Sequence, residues 1–205
     1  MDIKSMLYSA PAVIAGLSVH EFCHAWAALK LGDTTARDEG RVTLNPIRHI
    51  DPLGMIFILI AGFGWAKPVR FRPEALKNPR RDKALIAAAG PVANLVLGLA
   101  GVLALRFAGG LIAGLPGQAG EVAFNLLLYF AFINLGLFVF NLLPLPPLDG
   151  SHIAFSGLNL PDNTERALMK YGAYALFAVI LIENRIGVDI LPVGWAVRQI
   201  VGVFS

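Results

Sequence analysis

The sequence predicts an all-α polytopic membrane protein of about five or six membrane segments, with a small membrane-associated β element near residues 40–72. Three observations predict it. Hydrophobic residues make up 56% of the 205-residue chain and charged residues only 15%, against about 25% charged in a typical soluble domain, and mean hydropathy is +0.64. Four apolar runs reach the roughly 20 residues that a bilayer-crossing helix needs. Most Lys and Arg fall in two loops, so the net charge of +3 reports membrane orientation rather than nucleic-acid binding. The chain reads as one domain, residues 1–205, with a core at 6–157 and C-terminal helices at 165–204.

Taken in order, the first run is 6–29. It opens like a secretory leader, one Lys and then apolar residues, but continues past leader length without a clear cleavage site and is read as a retained helix. Lys30, Arg37, Arg41 and Arg48 follow it, and basic loops stay cytoplasmic. The β-branched string RVTLNP at 41–46 predicts an extended piece. Pro52–Ala66 is apolar but has only 15 residues, three of them glycine. A second basic loop, from Lys67 to Lys83, comes next. With both loops on one side, 52–66 enters the membrane and returns, or lies in its surface, under cover of protein or a water-filled cavity. Runs 84–108 and 121–143 are spans, and 109–120 between them has no Lys or Arg, as suits an external loop. Pro144, Pro146 and Pro147 end the third span. The fourth, 166–183, has Asp162 three residues before Glu165, a capping-box-like start. The segment 186–204, interrupted by Asp189, Pro192 and Arg198, spans or lies on the surface.

Chemistry concentrates in SVHEFCHAW at 18–26. Residues i and i+4 of a helix differ by about 40° and one turn, so His20 and His24 face one direction. That geometry suits two imidazoles on one zinc ion. Glu21 projects beside them, placed to act as a base on water rather than as a ligand; HEXXH on a helix is the metalloprotease pattern for this reason. His20 lies eleven residues before Leu31, about 16 Å of helix, which is near mid-bilayer. Charged groups there cost several kcal/mol unless paired or metal-bound, which weighs against an incidental cluster.

A catalytic zinc takes three protein ligands. The candidates for the third are His49, His152 and Asp149. Two crossings, 84–108 and 121–143, separate His24 from Asp149, so Asp149 arrives on the side of His24, and this parity selects it. A turn or a helix cap is the competing role for an Asp in a Pro-rich loop. Cys23, the single cysteine, lies about 60° from His20 and reads either as a thiolate ligand or as a small apolar residue. His49 reads as a loop residue, and His152 as a neighbour of the ligand set or an interface residue. Asn94 either reaches the site or a substrate backbone, or bonds a neighbouring helix. Gly90 and Pro91 are expected to permit close helix approach and to set a helix start.

HEFCH at 20–24 with LDG at 148–150 resembles the site-2 protease family, the intramembrane zinc metalloproteases. GRVTLNPIRHIDPLG (40–54), GWAKPV (64–69) and GPVAN (90–94) resemble blocks of its small prokaryotic members, those without the PDZ domain that many others carry. The resemblance runs from Val19 to Gly150, about two-thirds of the chain. It implies that His20, His24 and Asp149 bind one zinc ion, that Glu21 is the catalytic base, and that Asn141 holds substrate or stabilises the oxyanion. It implies single-span membrane proteins as substrates, a multi-pass location in the cell membrane, and a site open to the cytoplasm. The rival reading is a non-proteolytic zinc-binding membrane protein, a metal transporter or a catalytically silent scaffold. Oligomeric state is not legible in the sequence.

Overall fold

The structure is a computed structural model that describes residues 3–61, 64–158, 160–188 and 190–204. Its first helix, α1 (Ile3–Lys30), is 28 residues long, about 42 Å at the helical rise. Its buried residues include Ser9, Ala12, Gly16, His20, His24 and Ala28, a stripe at three- and four-residue spacing that turns one face inward. Two further long helices, α4 (Pro79–Ala113) and α5 (Ala119–Leu142), pack against each other and against α1 to form the core. Small residues allow the approach: a Cβ on Gly16 would lie 2.9 Å from both Leu137 and Asn134.

Between α1 and α4 the chain folds locally. A one-turn helix, α2 (Thr35–Asp38), ends at Gly40, whose φ of +68° lies in the left-handed region that favours glycine. A tight turn at Pro46–Arg48 is capped by Asn45, whose side chain accepts from Ile47 N. Then comes α3 (Pro52–Ala61), followed by extended backbone that returns along His49 and Ile50: Ile50 and Ala66 form an antiparallel bridge, and Lys67 N donates to His49 O at 2.8 Å.

The expected β element near 40–72 is thus reduced, among the described residues, to that bridge. Asp51 Oδ1 accepts from Gly54 N at 2.9 Å, and Pro52 supplies a preset first helical φ, so the apolar stretch that follows starts as helix. Residues 41–45 turn rather than extend, with Thr43 N bonded to Arg41 O.

After α5, Pro144 prevents continuation and the chain crosses to α6 (Asp149–Gly157), which docks on α4. The last helices are α7 (Asp162–Ile186) and α8 (Val193–Phe204). Four helices, α1, α4, α5 and α7, are long and apolar enough to cross a membrane. With 10 and 12 residues, α3 and α8 reach about 15 and 18 Å, short of the roughly 30 Å hydrocarbon core. Among the described residues there are therefore four candidate spans, with α3 and α8 too short to cross. Burial separates their roles: α1 is the most covered of the four and α7 the least, so α1 is the central helix and α7 the peripheral one.

Two helix starts also differ from expectation. Helix α4 begins at Pro79, where Asn78 N bonds Asp82 Oδ2 at 2.9 Å, so Pro91 sits inside the helix rather than at its start. Helix α7 has Pro161, not Asp162, at the capping position. Asp189 lies outside the described residues.

Candidate metal centre

His20 and His24 project from adjacent turns of α1, 4% and 7% exposed. Their Nε2 atoms are 2.9 Å apart. Asp149, the first residue of α6, brings Oδ2 to 3.1 Å from His20 Nε2 and 3.3 Å from His24 Nε2. No other group of three or more metal-ligating side chains occurs among the described residues.

The protons on this triangle can be assigned from the neighbours. His24 Nδ1 lies 2.7 Å from the Ile86 carbonyl, which only accepts, so Nδ1 carries the hydrogen. His20 Nδ1 lies 2.6 Å from Asn94 Oδ1. The Asn94 orientation is fixed because Nδ2 donates to Gly16 O at 3.1 Å and to Asn134 Oδ1 at 2.9 Å. Both imidazoles are thus held with Nδ1–H outward and an Nε2 lone pair inward.

Two lone pairs and a carboxylate oxygen therefore meet with no proton among them, and Asp149 Oδ2 is buried without a hydrogen-bond donor. A cation resolves the conflict. The point equidistant from the three atoms lies about 1.8 Å from each, just inside the roughly 2.0–2.2 Å bonds of zinc to imidazole and carboxylate. The donor set and its spacing fit zinc.

Two glycines leave room for this arrangement. A Cβ on Gly90 would lie 2.5 Å from His24 Nε2 and 2.7 Å from His20 Nε2. A Cβ on Gly150 would run into the Leu142 and Leu143 carbonyls, which explains the glycine after Asp149.

Glu21 is 7% exposed. Its Oε2 accepts the Val69 backbone N–H at 3.1 Å and lies 3.9 Å from Arg41 Nη2. His20, Glu21, His24 and Asp149 share a cavity of about 370 Å³ whose other walls include Asn141, His152 and the extended segment at 64–71. A second, apolar cavity of about 550 Å³ shares Leu17, Leu137 and Phe140 with it.

The remaining sequence candidates fall in different places. Asn141 lines the cavity, half-buried, with Nδ2 donating to Leu137 O one turn back. Asn94 is fully buried with both ends of its amide engaged, so it bonds across helices and steadies His20. Cys23 is half-buried and outside the ligand triangle. His49 is 1% exposed, with Nε2 2.7 Å from Thr43 O, and ties the loop around 43–49. His152 lines the cavity with Nδ1 3.8 Å from Glu165 Oε1; burial first, then the charge of Lys83, lowers its pKa to about 4. Sequence reasoning missed Asn134 and Arg41. Asn134 is fully buried and extends the chain from His20 through Asn94 to the Phe130 carbonyl. The signal was an amide inside an apolar span, where unpaired polar groups are costly.

A pair of imidazoles and a carboxylate, buried among helices of membrane length with a carboxylate beside them, defines a polytopic membrane protein built around a candidate metal centre. Comparison with known proteins gives the family. The model of Peptidase family M50 matches residues 107–181, the stretch that contains Asp149. A protein of Bacillus subtilis (strain 168), YwhC, provisionally named a zinc metalloprotease, is 45% identical over 154 residues, covering 74% of this chain and 69% of its own length. The Rip2 proteins of Mycolicibacterium smegmatis and Mycobacterium tuberculosis (strain H37Rv), provisionally named likewise, are each 33% identical, covering 83% of this chain and 66% and 65% of their own. The chain thus spans about two thirds of the length of these relatives. No solved structure matches it. The chain belongs to Peptidase family M50, the site-2 protease family, and is an integral membrane protein.

Proposed function

We propose that this chain is a zinc-dependent endopeptidase that cleaves peptide bonds in or beside the transmembrane segments of single-span membrane proteins. The observation that carries the reading is the meeting of His20, His24 and Asp149 in one cavity with Glu21, between helices of membrane length. The names given to the relatives agree with it. The basic loops on either side of α3 support an opening to the cytoplasm, with α1 and α5 both running inward.

His20, His24 and Asp149 would hold the ion, and zinc supplies Lewis acidity there, acidifying water and polarising a peptide carbonyl. Glu21 takes the proton from the attacking water and returns it to the leaving amine. Asn141 has a second amide hydrogen beyond the one given to Leu137 and offers it to the scissile carbonyl oxygen. A helical substrate hides its carbonyls in its own hydrogen bonds and must unwind first. The extended segment at 64–71 lines the cavity and offers an edge on which an unwound strand pairs. The neighbouring apolar cavity suits the lipid-embedded part of such a substrate.

The test is Glu21→Gln in liposomes with a single-span model substrate. Zinc content stays at wild type while cleavage falls by about 10²–10⁴-fold, the usual worth of a general base. Unchanged cleavage would remove Glu21 from its role, and absence of cleavage by the wild type would favour the non-proteolytic rival.

A further inference from the structure

Arg41 enters the structure differently from the other loop cations. It is 3% exposed, and an arginine taken out of water is costly unless its guanidinium is paired. The carboxylate beside it is that of Glu21, with Nη2 at 3.9 Å from Oε2. We infer that Arg41 is the positioning residue for Glu21: it fixes one carboxylate oxygen and leaves the other open to the cavity. The inference rests on the reading of Glu21 as the base.

The local backbone builds this contact. Gly40 turns the chain with its positive φ, and Arg41 N donates to Ala36 O at 2.7 Å, so the side chain leaves from an anchored residue. Its Nη2 donates to the Lys67 carbonyl. Two residues along the same extended segment, the Val69 N–H donates to Glu21 Oε2. Residues i and i+2 of extended backbone present their polar groups on the same edge, so one short stretch holds both the arginine and the carboxylate. Both contacts of Glu21 fall on Oε2, which leaves Oε1 for water. Arg41 itself does not line the cavity that holds the metal-ligand triangle; it opens on the other side, onto a surface cleft with Glu39, Lys67 and Arg70. It therefore acts through Glu21 and not on substrate.

Sequence reasoning counted Arg41 toward membrane orientation, and exposed loop cations serve that end equally well anywhere in the loop. Burial against the base requires this position alone. The consequence is kinetic. Loss of the guanidinium lets the carboxylate swing, and misplacement of a catalytic group by about 1 Å can lower a rate about 100-fold.

The experiment compares wild type, Arg41→Met, Arg41→Lys, Glu21→Gln and the Arg41→Met/Glu21→Gln double variant, each purified and reconstituted with a single-span model substrate. Arg41→Met should lower kcat about tenfold to 100-fold, with KM and zinc content within about twofold of wild type. Arg41→Lys should recover part of kcat, since an ammonium restores the charge without the planar fork. In the Glu21→Gln background Arg41→Met should change the residual rate little, because the group it positions is gone. Multiplicative effects in the double variant, or a fall in zinc content and thermal stability with kcat per folded molecule unchanged, would overturn the inference. Should Arg41→Met fail to fold, Arg41→Lys alone decides by its kcat, with wild-type kcat overturning the assignment. Full activity of Glu21→Gln would instead defeat the reading of Glu21 as base.

Discussion

Replacing Asn94 by leucine keeps the branching and number of side-chain heavy atoms and removes three buried hydrogen bonds: to His20 Nδ1 at 2.6 Å, Gly16 O at 3.1 Å and Asn134 Oδ1 at 2.9 Å. Interhelical hydrogen bonds in membrane proteins average about 0.6 kcal/mol and reach about 1.7, so roughly 2–5 kcal/mol of stability is at stake. The sharper consequence is for metal. Without the Asn94 acceptor the His20 ring loses the contact that selects its tautomer and angle, and loss of such a partner lowers metal affinity about 10–100-fold, or about 1.4–2.8 kcal/mol. The assay is competition for zinc with a chelator in detergent, read beside thermal unfolding. Asn94→Asp supplies the control: its carboxylate still accepts from His20 Nδ1 while losing both donor bonds, so it should lose stability but keep zinc affinity. Leucine and aspartate variants with equal zinc affinities would refute the reasoning, because stability alone would then explain the effect.

Gly90→Ala places a methyl 2.5–2.7 Å from the two imidazoles, which are pinned through their Nδ1 atoms and cannot retreat. Overpacking costs about 1–3 kcal/mol, and zinc occupancy should fall, whereas Gly136→Ala, with nothing within 4 Å, should leave metal content and melting temperature unchanged. Asp33 joins the end of α1 to the extended segment by accepting from Thr35 and from Arg72 N. Burial raises its carboxyl pKa, but the hydrogen bonds from Thr35 and Arg72 outweigh that and hold it below the usual value. A depressed carboxyl contributes stability above its unfolded pKa, about 3.9, and loses it as pH falls through the folded value. The stability difference between wild type and Asp33→Asn should thus be constant from pH 7 to 5 and shrink below about pH 4; a difference independent of pH would exclude that role.

What the sequence makes legible follows from what lipid forbids. His20, Glu21 and His24 stand out because ionisable groups on an apolar helix need a reason, and counting crossings expects Asp149 on their side; the structure groups its carboxylate with the two imidazoles. Both depend on local or countable features. Arg41 and Asn134 depend on tertiary placement: the same arginine in an exposed loop, or the same amide bonding any neighbouring helix, gives an identical pattern. The strand expected near 40–72 fails for a different reason. The β-branched string at 41–46 turns instead, with Thr43 N on Arg41 O and Asn45 capping the turn at Pro46–Arg48, contacts that β propensity alone does not reveal. Helix α4 starts earlier than its apolar run because Pro79 and the Asn78–Asp82 contact nucleate it within the basic loop.

Zinc K-edge X-ray absorption on the purified protein tests the central claim directly. One zinc per chain with two imidazole nitrogens at about 2.0–2.1 Å and carboxylate or water oxygen completing the shell, lost on Asp149→Ala, is the expected result. A sulfur neighbour at about 2.3 Å, which would bring in Cys23, or an unchanged spectrum in Asp149→Ala, would contradict it.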